Sequence, residues 1–438
     1  MAEIYVYNKE VQPIAIVDAY KSLIWAERYN AVGDCEVYVP ATAENLTIFQ
    51  QNYYIAKSDS EMVCQIKKIE LDTDVENGNY LVVTGIDIKS WLDQRIVWDT
   101  VTANGSLESF IRKLVRESLS GNAPESRRIT APSGRNLLAL GDIAGFEEVI
   151  TEQVSYKNVG EKVREYCAAY HWGYRVRPDT ASTGARRFAF ELYKGVDRSA
   201  SVVFSEEYEN LATSKYVEDR TNLGNVSLTA GSGEGYERVR VEDGDAAGVD
   251  RVEKFVDAKD INQKITYKEF KALFPDAQAH PQLMSYFYVD SVTIPIVNPS
   301  HLQKLQELDN HGTVVTIDGA EYYSINSPGH EIVVGWCPDV SQLPQDSAPI
   351  VLEELIYCGY LFSRSQDKLG EYGATTSFEG TISPNVTFIY KRDYFLGDIV
   401  TVQNEYGVTA HPRIIEVIEV DDDTGYSVQP KFEYLSKE

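Results

Sequence analysis

The chain has 438 residues and a formal net charge of −26, from 41 Lys and Arg against 67 Asp and Glu. At about 150 residues per domain this length predicts two to four domains, and a composition of 43% hydrophobic and 25% charged residues excludes wholesale disorder. So acidic a surface repels phosphate backbones and anionic headgroups, which excludes tight nucleic-acid binding over a broad face.

The first stretch is β in character. Ile4 to Tyr7 and Ile14 to Val17 are short β-rich runs broken by Asn8-Lys9-Glu10 and Pro13. Ser22 to Trp25 and Glu36 to Val39 follow, separated by the turn signal Gly33-Asp34. Ile66 to Leu71 and Tyr80 to Thr84 flank Glu76-Asn77-Gly78-Asn79, and an Asn-Gly between two such runs predicts a hairpin.

The pattern changes near residue 100. Leu107, Phe110, Ile111, Leu114 and Val115 follow helical spacing behind Ser106 as N-cap. Asn158 opens a second helix, with Glu161 at capping-box spacing, an apolar face of Val159, Val163, Tyr166, Cys167 and Tyr170, and Gly173 after its end. Strands are expected at Tyr174 to Val176, Phe188 to Tyr193 and Val202 to Phe204, so 96–215 is expected to be a compact α+β unit. Strand signals return from Tyr216. Thr266 to Phe274 and Pro299 to Leu308 are helix candidates, the latter with Gly312 as its C-terminal stop. Short strands follow at Val314 to Ile317, Tyr322 to Ile325 and Ile332 to Gly335. A longer helix is expected from about Val351 to Leu369, and the chain is again β from Phe378.

One pattern occurs twice. Tyr53 to Lys57, Met62 to Cys64, Ile66 to Leu71 and Tyr80 to Val83 are matched in order and approximate length by Asp398 to Val402, Val408 to Ala410, Ile414 to Val420 and Tyr426 to Val428. Two copies of one β-barrel-like domain give this pattern, and so do any two antiparallel meanders.

Catalytic and metal-binding spacings are missing. His330-Glu331 begins like HExxH, but Val334 takes the place of the second histidine. Ser365-Gln366-Asp367-Lys368 has SxxK spacing without its usual partner motifs, and is expected on the solvated face of a helix. Gly231-Ser232-Gly233-Glu234-Gly235 lacks the GxGxxG spacing and is expected at a hairpin tip. Asp243, Asp245 and Gly248 match the start of a calcium loop, but position twelve is Lys254. Asp421-Asp422-Asp423-Thr424-Gly425 also lacks the downstream glutamate, and hairpin turns account for both. Cys35, Cys64, Cys167, Cys337 and Cys358 are odd in number and widely spaced, so neither a zinc site nor a disulfide framework is signalled. No metal or cofactor is expected, nor a signal peptide or membrane-inserting segment. Arg112, Lys113, Arg116, Arg127, Arg128 and Arg135 lie close together, and a solvated helix face with its following loop explains them. The excess of Tyr over Phe, 29 against 15, fits ordinary strand propensity and protein interfaces about equally, and its size tilts the reading towards an assembly protein.

Several segments together resemble the tail-hub, or tail-associated, proteins of long-tailed phages. They are Tyr20 to Trp25 with Arg28-Tyr29 and Gly33-Asp34; Trp91 to Trp98; Glu191 to Ser199; Phe255 to Ala258; and Tyr394 to Val400. The positions carrying the resemblance as an assembly or fold motif are Trp25, Gly33, Asp34, Trp91, Arg95, Tyr193, Gly195, Asp197, Tyr394, Gly397 and Asp398. The chain departs from the pattern over roughly 290–350.

The resemblance implies an α+β, mainly β fold with two related antiparallel, tube-like β-barrels and inserted α+β domains. It implies a homotrimer in which six barrels give pseudo-sixfold symmetry. The domains would be 1–95 (first barrel), 96–215 (α+β), 216–265 (start of the second barrel), 266–374 (inserted α+β region) and 375–438 (rest of the second barrel). The implied function is that of a baseplate hub, without enzymatic activity, that adapts a hexameric tail tube to a trimeric tip. Its partners would be a distal tail or tail tube protein and a spike, fibre or tape-measure protein, with DNA passing without tight binding. The implied location is the virion, at the tail tip or baseplate, after synthesis in the host cytoplasm. Contractile injection systems use the same hub fold. The alternatives are a tail-associated cell-wall hydrolase and a receptor-binding module. Because the chain ends directly after the second barrel, it is expected to carry no enzyme of its own.

Overall fold

The computed structural model describes residues 2–74, 78–179, 186–264, 271–276, 278–279, 287–326, 331–334, 347–348, 352–382, 387–404, 406 and 409–433. The fold is α+β with strand predominating. Its N-terminal part supplies seven strands: β1 (Ile4–Tyr7), β2 (Pro13–Val17), β3 (Ser22–Arg28), β4 (Asp34–Pro40), β5 (Tyr54–Lys57), β6 (Val63–Asp74) and β7 (Gly78–Asp87). They belong to an 11-stranded sheet in the order Leu211–Asp219, Thr375–Ile382, Gly425–Glu433, Arg413–Asp422, β3, β4, β7, β6, β5, β1, β2. The two halves expected as barrels are thus joined into one sheet by β3 and Arg413–Asp422, which pair antiparallel from Arg28↔Glu416 to Ser22↔Asp422.

Alternation explains why these segments are strands. In β4, Cys35, Val37 and Val39 are buried while Glu36 is exposed, the period of two that covers one face of a sheet. Each fully buried aliphatic side chain contributes about 1.5–3 kcal/mol. Trp25, Phe49, Ile55, Ile66, Leu81 and Val83 complete that core.

The pattern seen twice in the sequence has a matching geometry. In the first copy the β6–β7 hairpin has a bulge between Ile66 and Lys68 and closes with Asp74 opposite Gly78. In the second, the hairpin of Arg413–Asp422 and Gly425–Glu433 has its bulge between Ile414 and Glu416 and closes with Asp422 opposite Gly425. The same contacts precede each bulge. Ile66 N–H donates to the Tyr53 carbonyl and Asn52 N–H to the Ile66 carbonyl, while Ile414 N–H donates to the Asp398 carbonyl and Gly397 N–H to the Ile414 carbonyl. Asn52 and Gly397 both take the left-handed conformation, with φ of 65° and 94°. Glycine and asparagine are the residues that reach that region at least cost.

A separate core lies beneath the first half-sheet. The Leu107–Leu119 helix is capped by the Ser106 hydroxyl, which accepts from Ser109 N–H, and the Val159–Ala169 helix by Asn158, which accepts from Glu161 N–H. Gly173–Pro178 pairs with Phe188–Tyr193, and Val101–Ser106 with Val149–Val154. The residues after Tyr193 pack elsewhere. Val202, Phe204 and Leu211 share a core with Tyr390, Tyr394, Val400, Ile414 and Phe432.

The segment 216–265 joins the large sheet only through its first residues, within Leu211–Asp219. Val226–Ala230, Arg240–Asp243 and Glu253–Asp257 instead form their own three-stranded sheet. It packs with Ser291–Pro295, Ala320–Asn326 and Pro299–Leu308 around the Leu352–Gly370 helix, because Val241, Ala258, Ile294, Leu305, Tyr323 and Leu361 share one core. The Pro299–Leu308 helix begins as expected, with Pro at its first turn and Asn298 as cap, but ends at Asp309 in extended backbone. Gly312 is therefore not its stop: a Cβ there would come within 2.3 Å of the Tyr323 ring. The Ser365 stretch is not on a solvated face either. Ser365 and Asp367 are buried, since Ser227 and Asp243 meet the first and Lys162 the second. Most of the helix candidate Thr266 to Phe274, His330 of the HExxH-like pair, and Cys337 lie outside the described residues.

Candidate functional site

Two segments about two hundred residues apart meet at a junction between the α+β core and the C-terminal half-sheet. Asp398, 2% exposed, accepts from Val196 N–H at 2.7 Å, Arg198 Nε at 2.6 Å and Phe395 N–H at 3.0 Å. Ile399 N–H donates to the Val196 carbonyl and Arg198 N–H to the Ile399 carbonyl, so the segments run as parallel strands. Val203–Ser205 continues the pairing along Thr401–Gln403. A buried carboxylate holding two main-chain N–H groups and a guanidinium makes charge-assisted bonds, about twice as strong as neutral ones.

Close packing dictates the glycines here. A Cβ on Gly195 would lie 1.9 Å from the Gly397 carbonyl oxygen, and one on Gly397 would lie 2.4 Å from the Tyr29 ring. Tyr29 fills the space so left. Its hydroxyl donates to the His171 carbonyl at 3.1 Å and to that of Tyr193 at 3.3 Å, and its ring meets Tyr193 edge-on at 5.2 Å. Arg413 stands over the same ring at 5.4 Å. Tyr29 begins just past β3, so one side chain ties the first half-sheet to the other two units.

A charged seam continues from this junction between the half-sheets. Buried Glu419 accepts from Lys57, from Lys391 at 2.6 Å and from the Tyr426 hydroxyl at 2.6 Å. Lys391 also reaches Glu27 at 3.2 Å. Glu27 accepts from the Ser60 and Tyr390 hydroxyls, and Ser60 in turn accepts from Trp25 Nε1 at 3.1 Å. Burial opposes ionisation of Glu27, but Lys391 and these hydroxyls outweigh it and hold the carboxyl below its ordinary range. Burial likewise disfavours the Lys391 cation, and Glu27 and Glu419 more than restore it. Where the units meet, a cleft of about 530 Å³ opens, lined by Lys89, Tyr174, Arg177, Tyr193, Lys391 and Phe395 among others. Its cations are largely committed: Arg177 to Glu191 and Glu61, Lys89 to Asp87, and Arg198 to Asp398.

The motif positions thus fall into two groups. Tyr193, Gly195, Gly397 and Asp398 meet in the junction. Asp197 sits beside them, opposite Ile399, and Tyr394 packs on Phe204 in the adjoining core. Trp25 anchors the seam. At Gly33 a Cβ would come within 2.5 Å of the Ala26 carbonyl, and Asp34 pairs with Arg28. Trp91 and Arg95 lie apart from the junction. Trp91 packs on Phe188 at 5.6 Å in the α+β core, and Arg95 donates to the Arg127 carbonyl at 2.8 Å. The eleven motif positions do not include Tyr29, Arg198, Glu27, Lys391 or Glu419. Tyr29 and Arg198 stand within the resembling segments, but nothing local marks the other three.

Other clusters are structural. Ser365 donates to Asp243 at 3.0 Å and meets Ser227, all buried. The glycine-rich tip links an antiparallel pair as expected, and is anchored by Ser232 N–H donating to the Tyr357 hydroxyl at 2.7 Å. Cys35, Cys64, Cys167 and Cys358 are buried free thiols, and burial pushes the Cys358 thiol up to about 12. Among the described residues no three His, Cys, Asp or Glu side chains are grouped to hold a metal, and no helix is long and apolar enough to cross a membrane.

The model of one protein family, the siphovirus ReqiPepy6 Gp37-like proteins, matches residues 3–292 and 349–432. The stretch it skips coincides with the departure noted over roughly 290–350. No curated protein matches the sequence. Among solved structures, a tail protein from Neisseria meningitidis MC58 is similar with a TM-score of 0.50 at 10% identity, over 99% of this chain and 96% of that one. The 43 kDa tail protein of prophage MuSo2 from Shewanella oneidensis gives 0.47 at 9% identity, over 98% of each chain. Prophage tail protein gp18 from Listeria monocytogenes EGD-e gives 0.46 at 10% identity, over 100% of this chain and 95% of that one. At such identities the first of these is a likeness of fold. The resemblance to tail proteins of long-tailed phages is borne out at the level of the family: the chain belongs to the siphovirus ReqiPepy6 Gp37-like proteins.

Proposed function

We propose that the chain is a structural hub of a phage tail tip or baseplate, located in the virion. It works as a homotrimer whose two half-sheets act as related tube-like domains, alternating around the tail axis to match a hexameric tube. The observation that carries this reading is the duplicated hairpin, with its bulge and its preceding left-handed residue at equivalent places in both halves. Pairing of β3 with Arg413–Asp422 supports it further, because it sets the two copies side by side in one sheet. In this reading the domains are a first tube-like half, an α+β unit ending near Tyr193, a second half assembled from 203–219 and the C-terminal strands, and an inserted unit around the Leu352–Gly370 helix, a division that the hydrophobic cores support. The eleven motif positions serve assembly and fold rather than chemistry.

The hub joins a distal tail or tail tube protein above to a spike, fibre or tape-measure protein below. DNA passes along an axis whose wall carries no net positive charge, consistent with a chain of net charge −26. The reading as a hydrolase gains no support from the buried Ser365–Asp243 pair. Mass measurement on the purified chain tests the proposal: a particle of three times 49.2 kDa is expected, and a strictly monomeric chain at tens of micromolar concentration contradicts it.

A further inference from the structure

Most of the cations of 95–135 are bound to the main chain rather than to carboxylates, as Arg413 also is. Arg95, Arg112, Arg127, Arg128 and Arg135 donate to main-chain carbonyls. Among the described residues none of them, nor Lys113 or Arg116, makes an ion pair, whereas Arg175, Arg177, Arg198, Arg238, Arg251 and Arg364 all do. The basic stretch is therefore an exposed to half-exposed face, as expected, and one that no carboxylate neutralises by an ion pair among the described residues.

Its sharpest feature lies around Trp98. Tyr156 N–H donates to the Val97 carbonyl and Val97 N–H to that of Lys157, which sets the two segments side by side. Val97 is buried, and its neighbours Ile96 and Trp98 are exposed, the latter by 62%. Tyr156 is 72% exposed, and its backbone is left-handed, with φ of 57°. An aromatic residue rarely takes that conformation, and such strain concentrates at functional surfaces. The Arg127 guanidinium stacks over the Trp98 ring at 4.8 Å, and Arg95 is bonded to the Arg127 carbonyl at 2.8 Å. Burial first, and then the charge of Arg95, hold Arg127 below its ordinary value, with Asp99 as the opposing anion.

We propose that Arg95, Arg127, Trp98, Tyr156 and Ile96 form a docking surface for a segment of another protein that presents carboxylates beside an apolar side chain. Trp, Tyr and Arg are the residues that dominate protein–protein hot spots. Guanidinium forks match carboxylates in a bidentate manner, while the exposed rings and Ile96 need apolar atoms that a bare phosphate polymer does not supply. Charge favours a short segment. DNA carries a charge every ~1.7 Å and would have to run on across an acidic protein surface, whereas two carboxylates need touch only this cationic island.

The test uses the full chain and a fluorescein-labelled peptide alternating glutamate and leucine, followed by anisotropy at low salt. Saturable binding that weakens at least about tenfold in both Arg127→Glu and Trp98→Ala, and persists in Arg116→Ala, supports the proposal; tenfold corresponds to about 1.4 kcal/mol. Trp98→Ala removes an exposed ring and keeps every main-chain bond, so it reports even where Arg127→Glu disturbs folding. No binding to the wild-type chain, or equal binding to Trp98→Ala, overturns the proposal. Tighter capture of a charge-matched DNA duplex overturns it in favour of nucleic acid. Loss of a wild-type oligomer in Trp98→Ala overturns it in favour of a second copy.

Discussion

Asp398→Ala removes the acceptor that holds the two remote segments together. The carboxylate is 2% exposed and serves Val196 N–H, Phe395 N–H and Arg198 Nε. Without it, two main-chain donors remain in a site that alanine is too short to refill. Each unsatisfied buried donor costs about 1–3 kcal/mol. The Arg198 side chain is 31% exposed, so water recovers part of its loss. The expected sum is a destabilisation of about 3–5 kcal/mol, the range for removing one partner from a buried charged pair. Asp398→Asn keeps one acceptor oxygen and should cost about 1–2 kcal/mol. Urea denaturation followed by tryptophan fluorescence reads the midpoint shift, and hydrogen exchange reads the Val196 and Phe395 amides directly. Exchange at these two amides should accelerate in Asp398→Ala while that of Val37 and Val83, in the first half-sheet, stays slow. A midpoint unchanged within about 0.5 kcal/mol, with both amides still protected, would refute the role of Asp398 in holding the two segments together.

Gly195→Ala should be at least as damaging, because its Cβ would sit 1.9 Å from the Gly397 carbonyl oxygen and the backbones must part; soluble yield and melting temperature should both fall, and a wild-type melting curve would contradict the packing. Glu152 is buried beside Arg364 of the Leu352–Gly370 helix, and burial, with the charge of Asp367, raises its carboxyl to about 7 despite Lys162 and Arg364. The folded state therefore holds this proton more tightly than the unfolded state, so the contribution is present below about pH 4.5 and is lost as pH rises through about 7. Glu152→Gln should gain stability relative to wild type across that window, by at most about 3 kcal/mol; parallel melting curves from pH 4.5 to 8 check this, and a constant difference contradicts it.

The elements most legible in the sequence were those with local signals. Ser106 and Asn158 capped the helices their side chains announced, and Pro299 opened its helix, because capping depends on a few adjacent residues. The Asn77-Gly78 signal marked the hairpin of β6 and β7 for the same reason. Long-range features were less readable. Nothing near Glu27, Lys391 or Glu419 reveals that they share a buried seam, because their pairing exists only once β3 lies beside Arg413–Asp422. Burial of Ser365 and Asp367 was hidden likewise: polar residues at helical spacing suggest a wet face unless Lys162, Ser227 and Asp243 are there to meet them. The tyrosine excess also has a use that composition does not disclose. Tyr20 reaches Asp421, Tyr390 reaches Glu27 and Tyr426 reaches Glu419, so many of these hydroxyls bind the chain to itself.

The most direct test of the hub account is a cryo-electron reconstruction of the purified chain or of the tail tip that contains it. The account predicts three copies around one axis, with the β6–β7 hairpin and the Arg413–Asp422/Gly425–Glu433 hairpin alternating at one radius as six similar elements, and a lumen where Asp and Glu at least equal Lys and Arg. Two hairpins at different radii, or a chain lying off the tail axis, would contradict it.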